Sequence, residues 1–147
     1  MNEKNIFIAR ILTYMGTIPF LFLGMAVAFQ VKDFDYNLAL VAYGAVIISF
    51  LSGIHWAVFL FFSQKCSRNL LLHSNFITLV GWLTVLPVWP RLAFSLQILL
   101  FIYLLIIDFE LYRSKIIPLW FFKLRFNATL IVVSLLVTIQ ILGISFG

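Results

Sequence analysis

Apolar residues fill this chain in five long runs separated by short polar connections, at 11–29, 38–62, 70–88, 92–109 and 126–146. A bilayer core about 30 Å thick is crossed by roughly 20 apolar residues of helix, and each run is near that length. The first two runs contain no Asp, Glu, Lys or Arg. The alternation in segments of about 10 residues that marks a membrane barrel is missing, because the runs are continuous. The pattern predicts an all-α integral membrane bundle of five transmembrane helices. The connections are too short for a separate soluble domain, so residues 1–147 read as one transmembrane domain.

Composition agrees with that class. Hydrophobic residues make up 64% of the chain and charged residues 10%, against about 25% charged in soluble domains. A water-exposed globule is excluded. The net charge of +5 does not point to nucleic acid, since the basic residues flank the apolar runs and so report topology. Lys4, Arg10, Lys65, Arg68, Arg113, Lys115, Lys123 and Arg125 fall on one side, and Lys32 and Arg91 on the other. The richer side stays cytoplasmic, which places the N-terminus inside and the C-terminus outside. The expected location is a bacterial inner membrane, or the mitochondrial inner membrane in a eukaryote. Pro87, Trp89 and Pro90 mark a tight outer turn, with Trp89 at headgroup level. Lys4 and Arg10 ahead of an apolar stretch, with Ala26-Val27-Ala28 beyond it, resemble a signal peptide. The interruption from Met15 to Pro19 argues instead for a retained first span. Cys66 is the one cysteine, so no intrachain disulfide forms. It reads as a spectator or as a reactive thiol.

Within the runs, spacing suggests packing. Ala45, Ser49, Gly53 and Ala57 recur at fourfold intervals, a small-residue ridge that lets two helix backbones approach. Trp56 borders the ridge, whereas His55 projects to the side of Ser52 and Ile48. Asn127, Ser134, Thr138 and Ser145 form a polar stripe on the fifth run, expected to face protein. Gly16, Pro19 and Gly24 predict a bend in the first run, with a freed carbonyl that a neighbouring hydroxyl satisfies. Between Lys115 and Arg125, cations flank apolar bulk, which predicts a short interfacial segment before the last helix. Pro118 suits the first turn of a helix there. Lys115, Lys123 and Arg125 are candidates to bind an anionic lipid headgroup.

An ionisable side chain at membrane depth is a functional candidate because its desolvation is costly. His55 lies seven residues from the inner end of the second run. Asp108 and Glu110 lie at the inner end of the fourth, and Arg125 and Asn127 open the fifth. These groups are expected to converge on one inner-leaflet site, with Asp108–Arg125 as the first ion pair to form. His55 suits a proton relay, a metal ligand or a buried hydrogen-bond donor. Haem held by His55 and His73 is disfavoured, because His73 lies roughly 10 Å shallower by helix rise. No Cys/His/carboxylate cluster has metal-site spacing, and no phosphate loop or nucleophile motif is present. No enzyme activity, metal or cofactor is therefore expected. Aromatics make up 18% of the chain. Trp56 and Trp82 inside spans, with Tyr43 and Tyr103, suit either lipid-facing bulk or a cavity for a planar sterol, porphyrin or quinone.

Three stretches carry a resemblance. They are Met15-Gly16-Thr17-Ile18-Pro19-Phe20, the run from Tyr43 to Trp56 with its Ser49-Phe50 and His55-Trp56, and the run from Pro118 to Thr129. In order and spacing they resemble the transmembrane protein 69-like family of small multispan membrane proteins of unknown function. The resemblance implies five spans and no established activity. Family-like positions are Pro19, Tyr43, Ser49, Gly53, His55, Trp56, Pro118, Trp120 and Arg125. Ala57 and Asn127 stand where Gly and a less polar residue are expected.

The functional expectation is a non-enzymatic small-ligand binder or an assembly partner of a larger membrane complex. Its site would lie between the second, fourth and fifth spans and be lined by Ser52, His55, Trp56, Asp108 and Arg125. Two alternatives stand beside it. One is a proton-coupled carrier titrating His55 and Asp108. The other is a five-helix, aromatic-rich receptor for porphyrins or sterols, by analogy of architecture. Expected partners are the lipid bilayer and another membrane protein, with no nucleic acid.

Overall fold

A computed structural model of the protein describes residues 2–86 and 90–142. Among these, helix is the only regular secondary structure. The helices are α1 (Glu3–Met15), α2 (Ile18–Ala28), α3 (Tyr36–Phe62), α4 (Leu70–Leu83), α5 (Pro90–Arg113) and α6 (Leu119–Leu142), with a single 3-10 turn at Ser63–Lys65. Side-chain caps set several starts. Asn2 accepts from the Lys4 amide, Asp35 from Leu38, and Asn69 from Leu71 and Leu72, satisfying amides that a first turn leaves without partners. Helices α2 and α5 end alike. After α2 the Gln30 amide bonds the Val27 carbonyl and the Val31 amide bonds Ala26; after α5 Lys115 bonds Tyr112 and Ile116 bonds Leu111. This double closure places one left-handed residue past each helix. Here those residues are Gln30 and Lys115, at φ 53° and 56°.

Four helical segments are long and apolar enough to cross a membrane: Glu3–Ala28, Tyr36–Lys65, Arg91–Arg113 and Leu119–Leu142. The first is bent. Helix α1 stops at Met15, Gly16 and Thr17 turn, and Pro19 sits in the first turn of α2. Two hydroxyls satisfy carbonyls at the bend: Thr17 donates to Tyr14 at 2.7 Å, and Tyr43 from α3 donates to Gly16 at 2.9 Å. The bend predicted at Gly16–Pro19 is thus pinned by a tyrosine as well as by a local threonine.

Two expectations change. The run 70–88 is helical over Leu70–Leu83, shorter than the run. Helix α4 has 14 residues, a rise of about 21 Å, and gives way to turns at Thr84–Leu86. The Thr84 hydroxyl donates to the Gly81 carbonyl at 2.6 Å and closes the helix there. Pro87 and Trp89, read as a tight outer turn, lie outside the described residues, as does Ser145. The segment from Lys115 to Arg125 is not a separate interfacial piece. Residues from Leu119 onward are the opening turns of α6, and the Pro118 carbonyl accepts from both Phe121 and Phe122 amides. Pro118 therefore starts the long last helix.

Helix α3 is central and packs against α4, α2 and α5, while α6 packs against α5, α2 and α1. The interior is aromatic and aliphatic. Phe20 meets Tyr43 and Phe101 edge-on, with ring centroids 4.9 and 6.0 Å apart. Leu40, Ile48, Leu104 and Leu136 are fully buried. The polar stripe of α6 faces the other way. Asn127, Ser134 and Thr138 are exposed, and the Thr138 hydroxyl donates to its own helix at the Ser134 carbonyl, 2.8 Å away. A hydroxyl that bonds the preceding turn has no need of a protein partner. This is why the stripe is found on the outer surface.

Candidate functional site

Three helices bring His55, Asp108 and Arg125 together. His55 on α3 lies on the buried face of that helix with Ile48 and Ser52. Its Nε2 is 2.8 Å from Asp108 Oδ1, and Arg125 Nε on α6 donates to Asp108 Oδ2 at 3.0 Å. One carboxylate of α5 thus bridges two partners from either side. All three residues are buried. A carboxylate only accepts hydrogen bonds, so His55 Nε2 carries the proton and donates. With a neutral imidazole, the Asp108 and Arg125 charges cancel. That cancellation is what allows ionised groups to persist at this depth.

The cluster is incomplete on its outer edges. Among the described residues, Arg125 Nη2 and His55 Nδ1 are buried without a hydrogen-bond partner, as is Thr129 Oγ1 one turn beyond Arg125 on α6. Arg125 and Thr129 line a cavity of about 330 Å³. Its other walls come from α1, α2, α3 and α5, and four phenylalanines face it: Phe20, Phe50, Phe101 and Phe121. Leu12 and Phe50 on its rim are 62% and 65% exposed, so the cavity opens sideways between α1 and α3. A volume of this size lies within the range of small-molecule sites, which are mostly apolar with a few placed polar groups. The arrangement can take an apolar molecule, with Arg125 and Thr129 among its mostly apolar walls.

The other sequence candidates separate. Ser52 is fully buried, and its hydroxyl donates to the Ile48 carbonyl of its own helix at 2.8 Å. Trp56 is 43% exposed. It lines a shallow groove between α3 and α4 with Ser49, Gly53, Ser74, Asn75 and Thr78, on a different face from His55. Glu110 turns outward to Arg68 at 2.8 Å, and Asn127 approaches the Tyr14 hydroxyl at 3.4 Å. His73 meets the Tyr103 hydroxyl at 2.9 Å through Nδ1. The ridge on α3 is used at one end only. Ala45 is buried where Gly81 of α4 comes close, whereas a side chain built at Gly53 would meet nothing within 4 Å. Ala57 is half-buried. Of the proposed headgroup cations, Arg125 is committed to Asp108. Lys115 sits exposed in the α5–α6 turn, and Lys123 lines a separate groove with Arg10.

Sequence reasoning missed Thr129 and Gln97. Thr129 stands four residues after Arg125, on the same helix face, and that spacing was available to find it. Gln97 is a side-chain amide inside the fourth apolar run, and being neutral it carries no ionisable signal. In the structure it is fully buried. Its Nε2 donates to the Val41 carbonyl at 2.7 Å and to Thr84 Oγ1 at 3.0 Å. Among the described residues, no group of three His, Cys, Asp or Glu converges to hold a metal ion.

Compared with known families, residues 6–141 match the one described as protein of unknown function (DUF3429). No curated protein and no solved structure matches the chain.

Proposed function

Because the chain belongs to the DUF3429 family of proteins of unknown function, we propose its role from the site: it is a non-enzymatic, multi-pass membrane protein that binds a neutral, apolar ligand bearing a carbonyl or hydroxyl. The observation that carries this reading is a phenylalanine-lined cavity with Arg125 and Thr129 in its wall, two residues that, among the described residues, each hold a buried polar atom without a partner, Nη2 and Oγ1. Buried donors left unpaired cost about 1–3 kcal/mol each, and a ligand oxygen placed between them relieves that cost. Charge selects the class of ligand. Asp108 already balances Arg125, so a neutral acceptor fits better than a second carboxylate. The aromatic walls favour a planar head, of the quinone-ring or sterol-ring kind, entering from the lipid between Leu12 and Phe50.

This reading uses five crossings. The shorter α4 and the turn after it make the third, with the basic helix ends in the cytoplasm and the host membrane a bacterial or mitochondrial inner membrane. The motif resemblance to transmembrane protein 69-like proteins supports the same small multispan plan. A carrier that titrates His55 and Asp108 is less well supported, because His55 is not among the residues lining the cavity.

The test uses the full chain in lipid nanodiscs with two radiolabelled probes, a short-tailed benzoquinone and a sterol. Saturable binding of at least one is expected. Ala128→Leu, which fills the cavity from α6, should abolish it, and Thr129→Val should weaken it about five-fold, the equivalent of one hydrogen bond of ~1 kcal/mol. Lack of saturable binding by either probe would sink the reading. So would binding that neither variant changes.

A further inference from the structure

A second groove flanks the contact between α1 and α6, and it shares no lining residue with the cavity. It encloses about 510 Å³ and is lined by Arg10, Tyr14, Trp120, Lys123 and Asn127 over a floor of Leu119 and Leu124. Arg10 and Lys123 are both exposed, and among the described residues neither side chain has a partner in an ion pair or hydrogen bond. The Asn127 amide makes only the long 3.4 Å contact to Tyr14, which leaves donor capacity in the groove. The groove lies at one end of the bundle, together with the exposed Arg68–Glu110 pair, the end of α5 at Arg113 and the turn at Lys115.

We infer that this groove binds the phosphate of an anionic phospholipid. Two cations from different helices converge on one concave surface, which suits a group with several acceptor oxygens. Trp120 and Tyr14 are amphipathic aromatics of the kind enriched at headgroup level. Apolar side chains continue from the groove toward the lipid: Ile11 on α1 and Phe126 on α6, each deeper along its helix than the cation, are exposed. A lipid bound here has its phosphate on Arg10 and Lys123 and its tails on those residues. Free phosphate offers the same oxygens but makes no use of the apolar margin, so the lipid is the favoured source. The site differs from the one the sequence suggested. Of Lys115, Lys123 and Arg125, only Lys123 belongs to it, and Arg10 from the first helix supplies the second cation.

The experiment is native mass spectrometry of the full chain released from nanodiscs of phosphatidylglycerol mixed with phosphatidylcholine of identical tails. Phosphatidylglycerol should be retained in preference. Arg10→Gln and Lys123→Gln should each lower that preference about five-fold, the equivalent of ~1 kcal/mol per basic residue near an anionic surface. Lys115→Gln should leave it unchanged. Both groove cations are exposed, and an unchanged melting temperature confirms that the variants fold. Equal retention of the two lipids, or a double variant that behaves as the parent, overturns the proposal. So does saturable binding of inorganic phosphate to lipid-stripped protein with the same dependence on Arg10 and Lys123, since that assigns the groove to a soluble ligand.

Discussion

Gln97 and Asp108 sit on the same helix, about three turns apart, and each ties α5 to α3 through a buried polar side chain. Their surroundings differ. Gln97 is neutral and tightly enclosed: its amide donates to Val41 and Thr84, and its oxygen lies against Gly44, where a Cβ would collide with it. Asp108 is charged and reaches two helices, His55 on α3 and Arg125 on α6. On its far side the cluster borders a cavity lined by Arg125 and Thr129, whose Nη2 and Oγ1 have no partner among the described residues. Among those residues both networks hold a buried atom without a partner, Gln97 Oε1 in one and Arg125 Nη2 in the other, but only the second borders a cavity. A polar cluster beside a cavity is placed to bind something, whereas one enclosed by side chains serves packing. Burial alone does not separate the two, since both residues are buried; the space next to them does.

The comparison breaks most visibly at Asp108. Asp108→Leu leaves the Arg125 charge without a counter-ion inside the bundle, and breaking a buried pair this way costs about 3–5 kcal/mol. Denaturant unfolding in micelles should show the loss. Adding Arg125→Leu should recover most of that stability, because the uncompensated charge is gone, while ligand binding stays lost. A double variant as unstable as the single one would argue that the cluster is not governed by charge balance.

Gly44→Ala probes the closed network. The new methyl displaces the Gln97 oxygen from its place and strains two hydrogen bonds, an overpacking cost of about 1–3 kcal/mol. Ligand binding in the inner cavity should be unaffected. Thr129→Val is the converse. It should move stability by less than about 0.5 kcal/mol while weakening ligand retention, as read by equilibrium binding. If Gly44→Ala impaired binding as much as Thr129→Val, the two regions would not be independent. The smallest effect concerns Cys66. It is half-buried between the 3-10 turn and α4, and burial pushes its thiol up from the usual cysteine range. Less thiolate is present at neutral pH, so alkylation by iodoacetamide should be slow at pH 7 and accelerate as pH rises past the ordinary thiol value. Fast labelling at pH 7 would point to a reactive thiol.

The helices were legible where length and apolarity coincide, as in α3 and α5. Convergence of His55, Asp108 and Arg125 followed from depth, because three ionisable residues near one end of an apolar bundle have few places to go. The orientation of the α6 stripe was not legible. Ser134 and Thr138 can bond to their own helix, so their polarity does not say which way they face. Helix α4 is shorter than its apolar run because hydropathy extends past Leu83, while Thr84 caps the helix there. The cavity could not be read at all. It depends on the bend at Gly16–Thr17, which carries α1 and α2 around it, and on the small side chains of Ala9 and Ala128. No periodicity encodes that combination. The groove cations were half legible: Lys123 was named, but its partner Arg10 is more than a hundred residues away in the chain.

Photolabelling puts the ligand-binding claim to its most direct trial. A diazirine-bearing short-tailed benzoquinone is bound to the full chain in lipid, irradiated, and located by peptide mapping. The label should fall on the segments of α1, α2, α3 and α6 around Gly16, Ile47, Phe50 and Thr129. It should be competed by unlabelled quinone and disappear in Ala128→Leu. Labelling confined to the α3–α4 groove beside Trp56, or spread without competition over the lipid-facing residues, would contradict it.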